Sequence, residues 1–336
     1  MDSQTPTSYP VYRGIDGHIT TTPRPLPVLA PNEILIRITH SGVCYSDYEV
    51  FRLGAPLALG HEGVGIVQAV GSSVKSLKPG DRAGGGFYRS SCGNCKYCNT
   101  GRDILCHDRT IFTEGDYDNG TFGEFYVGKE GYVYKIPEEM ASEHAAPLQC
   151  AGATVYAGIV STVKPGDRVG VVGVGGLGHL AIQFAAKMGA EVVVFSTTGD
   201  KEAEAREFGA SEFVLIDEPG KIRAPVQVLL VAGSRYPDWD KFAVNNVLAR
   251  DGIIVPFTVP SGPLTLPSNP FFWQVYHIRS SLVASKAQHQ DMLEFAAHNG
   301  IKPLVQVYDL KGPETIEKIF EDLKANRVRY RAVVKV

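Results

Sequence analysis

The six cysteines of the chain form two groups, and each group suits a metal ion. Four lie close together in one short segment, at Cys92, Cys95, Cys98 and Cys106. The other two, Cys44 and Cys150, stand far apart on either side of His61. Four cysteines close a structural zinc site, whereas two cysteines and one histidine leave a position open for catalysis. The sequence therefore predicts two zinc ions per subunit, one structural and one catalytic.

The expected cellular location favours metal thiolates over disulfides. The 336 residues predict two domains, and 44% hydrophobic and 21% charged residues are typical of globular proteins. A net charge of -3 gives no reason to expect nucleic acid or an acidic membrane as partner. No signal peptide or membrane span is apparent, so we expect a cytoplasmic protein with reduced cysteines. For the four-cysteine group, disulfides or unligated thiols are the alternative.

The pattern along the chain changes near residue 146. Earlier residues hold many short strands and few helical patterns, which predicts an irregular β domain, and the proline-rich segment up to Pro31 is expected to lack regular structure. Later residues alternate apolar strands, such as Arg168 to Val172, with helices. This alternation predicts a doubly wound parallel sheet. The pattern alone leaves open which domain the residues after about 288 join.

A glycine-rich turn follows the first of these strands and opens a helix. Its residues fit G-x-G-x-x-G, the pattern that brings backbone N–H groups up to a pyrophosphate, and are Gly173, Val174, Gly175, Gly176, Leu177 and Gly178. At the end of the next strand, where NAD-binding proteins usually carry an acid, stands Ser196, followed by Thr197 and, further on, Lys201. Hydroxyls and a cation favour the 2′-phosphate of NADPH. The alternative is a polar turn with a solvated lysine.

Two acids stand beside the dispersed cysteine and histidine residues. Asp47 follows Cys44 by three residues and is expected to orient His61 by accepting its second ring N–H. Glu62 is expected to bind the zinc transiently. The alternative is that both acids are solvated, and that each cysteine or histidine alone serves packing.

These motifs resemble those of the zinc-dependent medium-chain alcohol dehydrogenases, in particular the NADPH-using cinnamyl-alcohol-dehydrogenase-like branch. The motifs are Gly42 to Asp47, Gly60 to Gly63, the cysteine group, Cys150 to Thr154 and Gly173 to His179. The resemblance implies a GroES-like catalytic domain with an inserted Rossmann domain. It places the catalytic domain at residues 1–149, the NADP(H)-binding domain at 150–285 and the return to the catalytic domain at 286–336.

The resemblance also implies roles for single residues. Cys44, His61 and Cys150 would hold the catalytic zinc, and Ser46 would accept the alcohol proton. Thr154 would pack near the nicotinamide, and Arg331 would reach the pyrophosphate. The implied reaction is hydride transfer between NADPH and an aldehyde or ketone, or its reverse on an alcohol, with zinc polarising the substrate oxygen. The implied partner is a small carbonyl or alcohol substrate, and the implied assembly is a homodimer or homotetramer.

The chain departs from the family pattern at two places. Glu49 stands where many relatives have the histidine that ends the proton relay, and the interval between Cys44 and His61 is shorter than is common. An NADPH-dependent reductase of an activated C=C or iminium bond is therefore an alternative, and a non-catalytic NADPH-binding protein is a third hypothesis. Five aromatic residues line a pocket or belong to the core: Tyr45, Tyr48, Phe51, Phe112 and Phe122.

Overall fold

The computed structural model describes residues 8–260 and 263–336. The chain divides into two compact units. Unit 1 contains the described residues up to Cys150 together with Ser285–Ala297 and Pro303–Val336, and unit 2 contains Ala151–Ala284 and His298–Lys302. The functional boundaries given by the resemblance, 1–149, 150–285 and 286–336, stay a prediction.

Unit 1 is built mainly from strands. Its strands are β1 (Ser8–Ile15), β2 (His18–Pro25), β3 (Glu33–Val43), β4 (Glu62–Val70), β5 (Arg82–Gly86), β6 (Tyr88–Ser90), β7 (Thr110–Ile111), β8 (Phe125–Lys129), β9 (Val133–Lys135), β16 (Val305–Asp309) and β17 (Arg331–Lys335). Its helices are α1 (Tyr45–Arg52), α2 (Ser142–Pro147), α8 (Lys286–His298) and α9 (Pro313–Lys324).

The large sheet of unit 1 joins both ends of the sequence. Its strand order is β16-β17-β3-β4-β5-β9, and β8 also pairs with β3. Strand β3 alternates in the sequence and buries Ile34, Ile36 and Ile38 in one apolar cluster. Strand β17 runs antiparallel to β3, with Ala332 opposite Val43. The last strand of the chain therefore pairs with a strand from its first part.

The prediction that the segment up to Pro31 lacks regular structure was wrong for Ser8–Pro25, apart from the turn between its two strands, and the residues before Ser8 lie outside the described part of the chain. Strands β1 and β2 form an antiparallel hairpin with Ser8 opposite Pro25. Its turn is Asp16-Gly17, with φ values of 50° and 78°, the two positive angles that a tight hairpin turn requires. Among the described residues β2 pairs only with β1. An edge strand tolerates Pro23 and Pro25 because the missing N–H groups can face away from the partner.

Unit 2 carries the predicted parallel sheet. Its strands are β10 (Arg168–Val172), β11 (Glu191–Ser196), β12 (Ala210–Leu215), β13 (Val226–Val231), β14 (Leu248–Pro256) and β15 (His277–Ile278). Its helices are α3 (Ala153–Thr162), α4 (Gly178–Lys187), α5 (Glu202–Glu207), α6 (Trp239–Val244) and α7 (Ser268–Gln274). The strand order is β12-β11-β10-β13-β14-β15, and every neighbouring pair is parallel.

The unbroken apolar runs of the central strands explain this sheet. All five residues of β10 are buried, as expected of a strand covered on both faces. Helix α6 ends at Val244, and β14 begins at Leu248. Among the described residues, no helix combines the length and apolarity needed to cross a bilayer.

Candidate active site

A single buried carboxylate connects the two segments that carry Cys44 and His61. Helix α1 starts directly after Cys44, and Asp47 in its first turn accepts the Cys44 backbone N–H at 3.1 Å. The other oxygen of Asp47 accepts the Gly60 N–H at 2.9 Å and lies 3.0 Å from His61 Nδ1. Asp47 is fully buried. It therefore fixes the ring orientation of His61, which is the contact expected from the sequence.

Four potential metal ligands converge inside unit 1. One ligand atom from each of Cys44, His61, Glu62 and Cys150 lies within 4.8 Å of the others. His61 Nε2 is buried and has no hydrogen-bond partner among the described residues. Buried polar atoms are normally paired, so a lone imidazole nitrogen beside two sulfurs fits a metal ion. The dispersed residues singled out in the sequence thus form one donor set of the kind that zinc accepts.

Mutual interactions shift the pKa values of these ligands. A hydrogen bond from Cys150 holds the pKa of the Cys44 thiol well below its usual range, while the same bond and burial raise the pKa of Cys150. Burial lowers the pKa of His61, but Asp47 and Cys44 outweigh it and raise that pKa to about 10. The pKa shifts of Cys44 and His61 thus both favour the charged form of the group. A divalent cation would displace protons from such ligands, since metal binding releases protons.

Glu62 forms a buried ion pair with Arg331 from β17. Arg331 Nη2 contacts both carboxylate oxygens, one of them at 2.6 Å. Burial raises the pKa of Glu62 to about 7, although Arg331 acts in the opposite direction. Glycine is required at position 42, because a Cβ there would lie 1.9 Å from Glu62 Oε2. Arg331 is therefore paired with Glu62 in the structure. A contact of Arg331 with a pyrophosphate stays a prediction.

The two residues proposed for proton transfer lie on α1. Ser46 is exposed, and its Oγ lies 3.6 Å from Cys44 Sγ, next to the metal ligands. Glu49 pairs with Arg52 at 2.7 Å on the partly exposed face of the helix. Their roles in a proton relay stay predictions.

Two phenylalanines that flank His61 form an apolar wall of the site. The ring of Phe87 lies 5.5 Å from the imidazole and that of Phe112 lies 4.4 Å from it. The buried guanidinium of Arg89 lies 5.7 Å from the centre of the Phe112 ring and donates to the Asp116 carbonyl at 2.9 Å. Arg89 thereby fixes the segment that carries Phe112. Sequence reasoning missed Phe87 and Arg89, because neither stands in a motif.

The five aromatic candidates belong mostly to the core. Phe112 and Phe122 are buried in the apolar cluster that also contains Ile316, Ile319 and Phe320 of α9. Tyr48 and Phe51 pack against the same cluster and are partly buried. Tyr45 is 53% exposed, so it alone of the five projects mainly into solvent.

The four-cysteine group has the dimensions of a zinc site. The sulfur separations are 3.5 Å for Cys92 and Cys106, 3.6 Å for Cys95 and Cys98, and 3.9 Å for Cys92 and Cys98. A tetrahedron with Zn–S bonds of about 2.3 Å has edges of about 3.8 Å. A hydrogen bond with Ser91 lowers the pKa of Cys98 to about 7. The disulfide alternative is wrong for these four residues, because all of them are free thiols.

The glycine-rich turn of unit 2 has the geometry of a nucleotide cradle. Gly173 has a φ of 91°, and a Cβ there would lie 2.8 Å from Gly233 Cα. A Cβ on Gly178 would lie 1.9 Å from the Gly173 carbonyl oxygen, so helix and turn pack too closely for any other residue. At Gly175 a Cβ would meet nothing within 4 Å. Phosphate groups can therefore approach the backbone there, at the start of α4.

The residues proposed to bind the 2′-phosphate lie at and after the end of β11. Ser196 is buried at the end of β11, and Thr197 is exposed. Lys201 Nζ donates to the Val174 carbonyl at 2.9 Å, so its ammonium group lies at the glycine-rich turn. Asp200, which the sequence analysis passed over, accepts a hydrogen bond from Thr198. Thr154 is buried in α3, and its place beside the nicotinamide stays a prediction.

Comparison with known proteins agrees with both units. Residues 30–138 match the family model of the alcohol dehydrogenase GroES-like domain, and residues 176–298 match that of the zinc-binding dehydrogenases. The probable formaldehyde dehydrogenase AdhA of Bacillus subtilis is 37% identical over 323 residues, which cover 92% of this chain and 91% of that protein. The chain belongs to the zinc-dependent medium-chain alcohol dehydrogenases. The recognised family and fold class are therefore confirmed.

Solved structures of this dehydrogenase family match over nearly the whole chain. A cinnamyl alcohol dehydrogenase from Sorghum bicolor superposes with a TM-score of 0.89 at 29% identity and covers 98% of this chain and 97% of its own. The CAD of Helicobacter pylori, solved with NADP(H), gives 0.87 at 25% identity and 98% coverage of both chains. Membership of the family also confirms the predicted activity class. This class is an oxidoreductase of the alcohol dehydrogenase type that uses zinc and a nicotinamide cofactor.

Proposed function

We propose that this dehydrogenase transfers a hydride between NADP(H) and an aldehyde or ketone, or runs the reverse reaction on a primary or secondary alcohol, at a zinc ion held by Cys44, His61 and Cys150. Two observations carry the proposal. Ligand atoms of His61, Cys44 and Cys150 lie within 4.8 Å of one another, and the buried His61 Nε2 has no hydrogen-bond partner among the described residues. Three protein ligands leave one coordination position for a substrate oxygen. The four cysteines from Cys92 to Cys106 would hold the second zinc, and four thiolates would leave no position open for a substrate.

The residues around the catalytic ligands have separate tasks. When bound, zinc supplies a Lewis acid for the substrate oxygen, and NADPH supplies the hydride. Asp47 holds the His61 ring so that Nε2 faces the metal. Ser46 Oγ exchanges the proton of the substrate hydroxyl, and Phe87 and Phe112 exclude water from the site.

Two further acids complete the proposed site. Glu62 is an alternative ligand that the ion pair with Arg331 holds near the site when substrate fills the fourth position. Glu49, as the outer end of the relay, passes the proton on to solvent, since its carboxylate is partly exposed beside Arg52.

NADP(H) is the cofactor that the nucleotide-binding unit favours. The glycine-rich turn, Gly173 to Gly178, receives the pyrophosphate, and Ser196, Thr197 and Lys201 receive the 2′-phosphate. Ser196, the last residue of β11, carries no charge to repel that phosphate, and the Lys201 ammonium group is already at the turn. The structure of the CAD of Helicobacter pylori with NADP(H) supports the same choice.

We also propose an oligomeric state and a cellular location for the chain. A homodimer or homotetramer is supported by exposed apolar side chains near the edge strand of unit 2, where Phe272 is 74% and Trp273 is 72% exposed. Sedimentation velocity of the purified chain tests this. A cytoplasmic location is supported by the reduced four-cysteine group, because thiols persist in reducing compartments.

Metal counting combined with a substrate panel tests the proposal. Purified chain is assayed for zinc and for NADPH oxidation with aldehydes, ketones and enones, and the products are identified. We expect two zinc ions per chain, alcohol products and a strong preference for NADPH over NADH. His61→Ala should retain one zinc and lose turnover.

Three outcomes would contradict the proposal. If fully active protein contained a single zinc, bound by the four-cysteine group, the chain would have no catalytic zinc. Saturated carbonyl products from enones would favour a reductase of activated double bonds. The pairing of Glu49 with Arg52 would then be relevant to that reaction. No hydride transfer to any member of the panel would favour a binding protein.

A further inference from the structure

The backbone turn that carries Cys150 is held by a buried side-chain contact outside the metal site. Residues Leu148–Gly152 form a π-helical turn between α2 and α3. Such turns leave backbone groups less regularly paired than in an α-helix and are frequent at functional sites. The position of the Cys150 sulfur therefore depends on what holds this turn.

Gln149, the residue before Cys150, is anchored at both ends of its amide. It is 2% exposed. Its Nε2 donates to the Ala145 carbonyl at 3.0 Å, and its Oε1 lies 3.1 Å from Nε2 of His289. Strand β5 leaves room for the amide, because a Cβ on Gly84 would lie 3.0 Å from Gln149 Cδ. Gln149 thus occupies a fitted slot in the interior of unit 1.

His289 is built to donate this hydrogen bond. It is 3% exposed and stacks on Tyr134 with ring centres 3.8 Å apart and planes at 3°. Burial lowers the pKa of His289 to about 3, so the ring is neutral at physiological pH. Since Gln149 Oε1 can only accept, the proton of the neutral ring must be on Nε2.

Helix α8, which carries His289, is itself tied to the four-cysteine segment. The Lys286 backbone N–H at its start donates to the carboxylate of Asp103 at 3.3 Å. Asp103 is 1% exposed and stands between Cys98 and Cys106. The start of the helix and the ring of His289 are therefore held in place by contacts that do not involve Gln149.

We propose that Gln149 and His289 are positioning residues for the catalytic metal, which hold the π turn so that the Cys150 thiolate points at the zinc. They act through Cys150 and touch neither substrate nor cofactor. The inference rests on the proposed function, in which Cys150 is a zinc ligand. Partners that orient a metal ligand typically contribute 10- to 100-fold to metal affinity or activity, and the same order is expected here.

Residue-resolved thiol protection tests this without measuring activity. Zinc-loaded chain is challenged with a chelator and iodoacetamide, and peptide mass spectrometry follows the alkylation of each cysteine. Gln149→Met and His289→Met remove the contact at similar volume. We expect Cys150 to be alkylated roughly 10- to 100-fold faster in both variants. The four-cysteine group, which lies in the same unit, should keep its wild-type protection.

Two further variants serve as controls. His289→Gln restores an N–H donor at a similar reach and should recover much of the protection of Cys150. Tyr134→Phe keeps the ring stack on His289 and should behave as the wild type.

The outcomes separate the positioning role from the proposed function. Unchanged protection of Cys150 in both methionine variants would overturn the inference. Equal loss of protection at all six cysteines would also overturn it, because the contact would then serve folding alone. If zinc fails to protect Cys150 in the wild-type chain, the proposed catalytic site itself is wrong, whatever the variants show.

Discussion

Replacing Asp47 by asparagine should weaken the catalytic zinc site without unfolding the chain. The asparagine oxygen can still accept from Gly60 N–H and His61 Nδ1–H, as Asp47 Oδ1 does now. The new amide group, however, faces the Cys44 N–H, which Oδ2 accepts at 3.1 Å in the wild type. One hydrogen bond is therefore lost, and two donors are brought together.

The magnitude follows from these contacts. A buried donor without a partner costs about 1–3 kcal/mol. The two remaining bonds lose their charge assistance, which makes such bonds roughly twice as strong as neutral ones. A total loss of about 2–4 kcal/mol is smaller than the typical 5–15 kcal/mol of a folded protein. We therefore expect Asp47→Asn to fold and to bind the catalytic zinc about 10- to 100-fold more weakly, or roughly 1.4–2.8 kcal/mol.

Chelator competition on purified protein measures this change for both zinc ions. The control is Asp322→Asn, since Asp322 is also a buried acid of unit 1 but accepts from Lys318 and Arg327 on the side of α9. It should lower stability and leave both zinc affinities unchanged. If Asp47→Asn holds the catalytic zinc as tightly as the wild type, Asp47 does not orient His61 for a metal.

Four further changes have defined outcomes. Cys98→Ser should lose one zinc per chain and lower Tm, while the zinc at Cys150 stays; equal loss of both ions would show that the two sites do not bind independently. Ser196→Asp should shift the ratio of kcat/KM values from NADPH toward NADH, because the new carboxylate repels a 2′-phosphate, and an unchanged ratio would contradict the assigned position. Glu62→Gln should lower the free energy of unfolding by at most about 3–5 kcal/mol, because it removes the carboxylate partner of the buried Arg331, and a loss below ~1 kcal/mol would argue against the ion pair. Because the pKa of His289 is lowered to about 3, the unfolded chain binds a proton at this residue at a higher pH than the folded chain does. The free energy of unfolding should therefore fall as the pH drops below about 6.5, by up to ~1.4 kcal/mol per pH unit from this group. His289→Met should show a shallower fall with pH, and an equal fall would refute the lowered pKa of His289.

Local signals in the sequence predicted the parts of the site that close over short distances. The four cysteines from Cys92 to Cys106 and the turn from Gly173 to Gly178 each lie in one continuous segment, so spacing alone defines them. Asp47 was singled out for a similar reason, because it stands three residues after the ligand Cys44. These elements appear in the structure with the expected contacts.

Contacts between distant segments were not predictable in this way. Gln149 meets His289 across 140 positions, and Arg331 meets Glu62 across 269. No periodicity or motif signals such pairs, since they depend on how strands from opposite ends of the chain come together. The hairpin of β1 and β2 was missed for another reason: its prolines concealed the local turn signal of Asp16-Gly17.

The place of β17 in the sheet has a consequence for how the protein is made. This strand lies between β16 and β3, and it brings Arg331 to Glu62. A ribosome releases the nucleotide-binding unit, residues 151–284, before it has synthesised β17. Nascent chains can therefore fold the second unit first, while the large sheet of unit 1 still lacks β17, the strand between β16 and β3. Premature termination before residue 331 therefore yields chains that lack β17 and the Arg331 partner of Glu62.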